Sequence, residues 1–338
     1  MPRSRSGSEH RPAYYYIGAI LWLVLLGCTG RADTSLFYKE AQFVVGSSTK
    51  VPNTIYYSMS QDEVMQKPSL GFDYLYRISS DLGDRMVAAV QARLAWNESA
   101  GSEQKIEPQL YNFYLKFKDP LADVWVGHDR PAFGLSSYFD SHGLLLTAPG
   151  MYDLGFDRDW GVGLSRDVEW GDISVSSTKG SGMPLHSSGN KLNTGRISFG
   201  VLNRDNFNIG ISRAEGDILP VMGYDVMSKE PYKIDYGGVD LAYFFENYEL
   251  RLENTTGIRM DEEYSSFFVR GTINLLEEGR LKFELQHNAY TWANIADKIR
   301  AAGLSYQIDQ DLTVRTMYQY DELFNDQRFI WQVYYYGV

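Results

Sequence analysis

The chain has 338 residues, is 44% hydrophobic and 14% aromatic with 25 Tyr and 7 Trp, and carries a net charge of −11. A mean hydropathy of −0.33 excludes a bundle of membrane-spanning helices, and the acidic balance argues against nucleic acid, whose partners need a basic footprint. The single cysteine, Cys28, excludes an intramolecular disulfide.

At the N-terminus Arg3, Arg5 and Arg11 precede an apolar run over 14–26 and a small-residue segment over 27–32. That order reads as a secretory signal over 1–32, and the run is too short to span a bilayer as a helix. Cleavage after Ala32 is the preferred site. Leu25-Leu26-Gly27-Cys28 also fits a lipoprotein box, which would leave Cys28 lipidated at the mature end.

Beyond the signal, runs of about ten residues alternate apolar and polar with a period of two, the mark of strands with unlike faces. The first, over 36–46, is the poorest, because Lys39, Glu40 and Gln42 interrupt it, and a short helix is the alternative there. Phe72, Tyr74, Tyr76 and Ile78 then form an apolar row opposite Asp73, Leu75 and Arg77, and Val90, Ala92, Leu94 and Trp96 alternate with Gln91 and Arg93. Tyr111, Phe113, Leu115 and Phe117 alternate with Asn112, Tyr114, Lys116 and Lys118. Shorter strands follow around 122–128, 160–164, 173–177, 197–201, 207–211 and 239–243, and the last ninety residues or so hold the most regular ladder. There Tyr248, Leu250 and Leu252 oppose Glu249, Arg251 and Glu253. Leu281, Phe283 and Leu285 oppose Lys282, Glu284 and Gln286, and Phe329, Trp331, Val333 and Tyr335 close the series.

These runs number about sixteen and have the length that a tilted strand needs to cross a bilayer, with aromatics near their ends. Their connections read as alternately long and short. The predicted fold is all-β: a transmembrane antiparallel barrel over 33–338 with short periplasmic turns and longer external loops, closed because lipid satisfies no open edge. About sixteen strands enclose an aqueous lumen rather than a packed core.

The longest irregular segment, 129–157, carries Phe133, Leu135, Tyr138, Phe139, Met151 and Tyr152, too apolar for a loop in free solvent. Folding inward as a constriction loop is the expected solution, and an external lid or a contact between protomers is the alternative. The segment follows Val124-Trp125-Val126-Gly127 and contains Arg130-Pro131-Ala132-Phe133-Gly134-Leu135. In those residues the chain resembles the outer-membrane porins and, more narrowly, the phosphate-selective porin-like family, although Ala132 separates Pro131 from Phe133. The resemblance implies a passive channel in the bacterial outer membrane and a homotrimer. It carries no anion selectivity, since the family's arginine ladder and lysine cluster have no counterpart here residue by residue.

Expected pore-lining or constriction residues are Arg130 and Asp129 in the segment and, on the polar faces, Arg93, Lys116, Lys118, Arg196, Arg251, Arg270, Arg315 and Glu284. Facing rows of opposite sign would set a transverse field for polar solutes, while the plainer reading is cross-strand pairing in the wall. The expected partners are membrane lipid, lipopolysaccharide and small hydrophilic solutes. No cofactor, metal or enzyme activity is expected: His142 and His287 have acidic or amide neighbours, but a triad is a matter of geometry rather than of adjacency in sequence. The competing function is a barrel enzyme or receptor with an occluded lumen.

Overall fold

The computed structural model describes residues 33–49, 66–81, 83–96, 106–137, 139, 143–202 and 204–338; the signal segment lies outside them. The wall is built from β1 (Asp33–Ser48), β2 (Ser69–Ser80), β3 (Gly83–Trp96), β4 (Ile106–Phe117), β5 (Asp123–Asp129), β6 (Asp159–Val168), β7 (Gly171–Thr178), β8 (Lys191–Phe199) and β9 (Phe207–Ile218). A small hairpin of β10 (Val221–Met222) and β11 (Asp225–Val226) stands apart from it. The wall resumes with β12 (Tyr232–Phe245), β13 (Tyr248–Arg259), β14 (Glu262–Leu275), β15 (Leu281–Trp292), β16 (Ile295–Gln307), β17 (Leu312–Asp321) and β18 (Asp326–Gly337). Each strand pairs antiparallel with its neighbour, and β1 pairs with both β2 and β18, so sixteen strands form a closed barrel with no open edge.

The period-two pattern sets the two faces. On β18 the outward Phe329, Trp331 and Val333 are 42%, 48% and 41% exposed, while the intervening Ile330 and Gln332 are 3% and 1% exposed. The same holds on β15, where Phe283 and Leu285 point out and Glu284, Gln286 and Asn288 point in. A continuous outer row of exposed Val, Ile, Leu and Phe is the surface a bilayer covers.

Three local features depart from the sequence reading. The poor first segment is not a helix: β1 is 16 residues long, because closure supplies hydrogen-bonding partners on both sides. Of its interrupting residues, Glu40 and Gln42 face inward, where Gln332 donates to Gln42 (2.7 Å) and Gln91 donates to Glu40 (3.4 Å), while Lys39 is exposed on the opposite face. Tyr111 does not belong to the outward row of β4. The register shifts so that Gln91 opposes Asn112 and Ala92 opposes Leu110, which leaves Tyr111 as the extra residue of a bulge, turned into the interior. The alternation of long and short connections also fades in the C-terminal third, where β13 joins β14 through 260–261 and β15 joins β16 through 293–294. Met260, Asp261 and Ala293 take the positive φ that such tight hairpins require.

Candidate functional site: the lumen and its inserted segment

After Asp129 the chain leaves the wall, and it re-enters at Asp159, the two residues standing opposite each other in the β5–β6 register. The intervening segment contains a 3-10 turn at Gly134–Ser137 and one short helix, α1 (Pro149–Asp153), with its proline in the first turn, where a missing N–H does no harm. Its attachments are to inward faces round much of the wall. The Ala132 amide donates to Ser176 Oγ on β7 (3.2 Å) and Thr194 Oγ1 on β8 (3.0 Å), and the Gly134 amide to Ser212 Oγ on β9 (3.3 Å). Leu135 N donates to Glu253 on β13 (2.6 Å). Gly134 has φ +52, and a side chain there would run into the Glu253 carboxylate, so this close approach needs glycine.

Asp153, at the end of α1, is bonded to several wall residues. Its carboxylate accepts hydrogen bonds from Tyr264 Oη (2.7 Å), Ser266 Oγ (2.6 Å) and Thr255 Oγ1 (3.0 Å), and Arg259 donates to the Asp153 carbonyl (2.6 Å). Burial raises the Asp153 pKa above the ordinary carboxylate value, against the lowering effect of the three hydroxyls and Arg259. Farther round the wall, Arg270 donates to the carbonyls of Leu146 and Thr147 (3.3 Å each), and Arg315 and Gln332 donate to the Gly143 carbonyl (2.9 and 3.2 Å).

Apolar packing follows the same path. Phe133, Leu154 and Phe156 are buried with Leu192, Ile218 and Tyr236; Leu135, Phe139 and Met151 with Tyr111, Met183 and Phe268; Leu145 and Leu146 with Val44, Met317 and Ile330. Fully burying such side chains stabilises by about 1.5–3 kcal/mol each. Two further loops lean on the segment: the Gly223 amide donates to the Gly155 carbonyl (3.1 Å), and Met183 is buried with Leu135, Phe139 and Met151 while its carbonyl accepts from Trp160 Nε1 of β6 (3.0 Å).

The insert changes what the predicted wall residues do. Arg196 is held by Asp240 (2.6 Å), Asp172 (3.3 Å) and Asn208 (2.6 Å). Arg251 pairs with Glu249 and lies over the rings of Phe244 (4.7 Å) and Phe139 (5.5 Å). Arg270 bonds Gln286 (2.7 Å), lies 3.8 Å from Glu284 and sits 4.3 Å from the Phe139 ring centroid. Arg93 bonds Gln109 (2.7 Å). These four arginines and Glu284 face inward but are buried, so they brace the wall and the insert instead of lining open water. Arg315 bridges Gly143 and Gln332 (2.8 Å). Lys116 is half-buried on the inward row. Lys118 is not on that row at all: β4 ends at Phe117, and Lys118 lies in the following turn, exposed and 4.0 Å from Asp123.

Open space remains on the side of β18 and β1 to β4, as a polar cavity of about 360 Å³. Asp73, Gln91, Asn112 and Tyr114 line it from β2 to β4, and Tyr334 and Tyr336 from β18. Asp129, Arg130 and Arg158 complete it where the segment leaves and rejoins the wall. Of the predicted site residues, only Asp129 and Arg130 are brought to this space. Tyr334 and Tyr336 were legible as inward residues, since they alternate with the outward Val333 and Tyr335. Arg158 carried no such signal.

Of the two histidines weighed for catalysis, His142 lies outside the described residues and His287 shares the outward row of Phe283 and Leu285. Asp157 accepts from Tyr111 Oη (2.8 Å) and Arg158 (2.9 Å), and Asp159 accepts from the amides of Gly180 (2.5 Å), Ser181 and Gly182 (both 3.1 Å).

The sequence matches no protein-family model and no curated protein. Solved structures do match. OmpF of Salmonella typhi, in a complex with daunomycin, has TM-score 0.63 at 10% identity, covering 90% of this chain and 98% of that one. A loop L8 deletion mutant of OmpT, an outer membrane protein of Vibrio cholerae, has TM-score 0.62 at 13% identity, covering 90% and 100%. The anion-selective porin from Comamonas acidovorans has TM-score 0.59 at 11% identity, covering 90% and 99%. At these identities the likeness is one of fold: the chain has the closed, antiparallel, sixteen-stranded barrel architecture of the outer-membrane porins.

Proposed function

We propose that this protein is an outer-membrane porin through which small hydrophilic solutes or ions diffuse passively, its lumen constricted by the 129–157 segment. The observation that carries this reading is the polar cavity left open beside the insert within a wall that is apolar outside and polar inside. Residues 1–32 act as the export signal, and the mature barrel sits among lipid and lipopolysaccharide. The likeness of 124–135 to the phosphate-selective porin-like family is part of this reading and brings no anion preference with it. The assembled form is a homotrimer, as in the trimer form recorded for OmpT of Vibrio cholerae; a strictly monomeric mass in mild detergent would remove that element.

Purified protein added to planar bilayers is expected to give stepwise, ohmic conductance. A folded barrel that stays silent would favour the competing reading of an enzyme or receptor with an occluded lumen. Arg130 gives a second, sharper expectation. The cavity is lined by two arginines, Arg130 and Arg158, and two aspartates, Asp73 and Asp129. Arg130→Glu turns that balance into one basic and three acidic groups, so the reversal potential in a salt gradient should move toward cation preference. An unmoved reversal potential would place the selective section of the channel away from Arg130.

A further inference from the structure

The cavity wall carries an aromatic row. Tyr38 and Tyr336 lie parallel, 9° apart with ring centroids at 4.9 Å, and Tyr334 and Tyr336 lie parallel at 5° and 6.3 Å. The row is held at two points: Tyr336 in the middle donates its hydroxyl to Asp73 (2.7 Å), and at one end the Arg315 guanidinium lies 4.9 Å from the Tyr334 centroid. Tyr114 lines the same space.

The polar lining is built of planar groups, and a chain of hydrogen bonds holds it in place. Asn112 donates to Gln91 (2.7 Å), Arg158 donates to Asn112 (2.6 Å), and Arg158 also bonds Asp157 (2.9 Å) and Tyr111 (2.6 Å) while resting 3.7 Å over the Tyr111 ring. A site whose side chains are already ordered spends little on ordering them when a ligand enters. Its volume, about 360 Å³, falls in the lower part of the range of small-molecule sites.

The charge balance decides among ligands. With two guanidinium groups and two carboxylates around one cavity, an ion of either sign is drawn to one pair and repelled by the other. A neutral solute rich in hydroxyls escapes that conflict, because each hydroxyl donates to a carboxylate and accepts from a guanidinium. Such a solute also needs an apolar face to lie against phenol rings. Pyranose sugars have both: equatorial hydroxyls round the ring edge and faces made of C–H groups.

We propose that this cavity is a binding site for neutral saccharides in transit, with Tyr114, Tyr334 and Tyr336 meeting the C–H faces and Asp73, Asp129 and Arg130 meeting the hydroxyls. This rests on the channel reading above and gives it a substrate class. The test is single-channel recording of the full-length protein with maltose as the probe. Polyethylene glycol of matched hydrodynamic radius serves as the size control, and glycine betaine as the zwitterionic comparator.

Maltose should lower the conductance saturably. Tyr334→Ala should raise the half-effect concentration about tenfold, the loss expected for one aromatic contact, and Tyr336→Phe, which keeps the ring, should raise it less. Heat-modifiable gel mobility checks that each variant is folded. A fall in current that is linear in maltose and equal to that caused by the polymer would overturn the proposal, as would stronger block by glycine betaine. If the folded protein gives no conductance steps, the channel reading fails by itself. Calorimetric titration of the detergent-solubilised protein with maltose then decides the site, saturable heat supporting it and absence of heat overturning it.

Discussion

Replacement of residues 131–157 by a two-residue Asn-Gly turn is expected to leave a folded barrel whose single-channel conductance rises about threefold, since a sixteen-stranded wall without an insert encloses an aqueous lumen. The register makes the replacement feasible. Strands β5 and β6 stay paired up to Asp129 and Asp159, so Arg130 and Arg158 would come to flank a tight hairpin of the kind that Asn-Gly favours. The wall's own ladder uses no group of the insert. What disappears is the packing of Phe133, Leu135, Phe139, Met151, Leu154 and Phe156. The buried Arg251, Arg270 and Glu253 would then meet water, where their charges are solvated. Unfolding temperature should therefore fall while heat-modifiable mobility is retained. Conductance equal to wild type would mean that the insert is not the narrowest section, and the constriction would have to be sought in the loops at 179–190 and 219–231.

A second large effect is expected at Asp153. Asp153→Ala takes the acceptor away from three hydroxyls, those of Tyr264, Ser266 and Thr255, all of them covered by the insert. Tyr264 Oη keeps the Tyr152 carbonyl at 3.3 Å, so at roughly 1 kcal/mol or more for each of the two donors orphaned, docking of the segment weakens by about 2 kcal/mol. The readouts are a lower unfolding temperature and noisier open-channel current, with Asp153→Asn, which keeps one acceptor oxygen, falling between.

The pH dependence has a defined sign. Burial raises the Asp153 pKa, so the docked segment holds the proton more tightly than the released one does. Docking is therefore strengthened as pH falls from above the raised pKa toward the ordinary carboxylate value, and weakened as pH rises. The alanine variant should lose this component. Unchanged unfolding temperature and noise in Asp153→Ala would show that the apolar contacts hold the segment without it.

How far the barrel could be read in advance differs from residue to residue. Phe329, Trp331 and Val333 were assignable to the outer face because side-chain direction alternates strictly along a strand, a property of two adjacent peptide units. The apolar content of 129–157 likewise announced that this segment would be buried somewhere. Tyr111 was misassigned because a bulge is a property of the pairing between β3 and β4: one extra residue reverses the face of everything on one side of it. Lys118 was misassigned because the end of β4 is set by where the partner strand turns.

By itself, then, the sequence determined what is local and periodic: the strands, their two faces, their approximate number and hence a closed membrane barrel. Only the tertiary structure decided which inward residues meet water. Arg196, Arg251 and Arg270 sit on the same kind of polar row as Asp73 and Asn112, yet the first three are buried, Arg251 and Arg270 against the insert's Phe139, and the last two line the open cavity. The cavity itself draws on residues from 73 to 336, brought together because β1 closes on β18. Closure is a long-range condition that no stretch of the chain carries alone: every strand must find two neighbours before the lumen, and the space the insert leaves within it, exists.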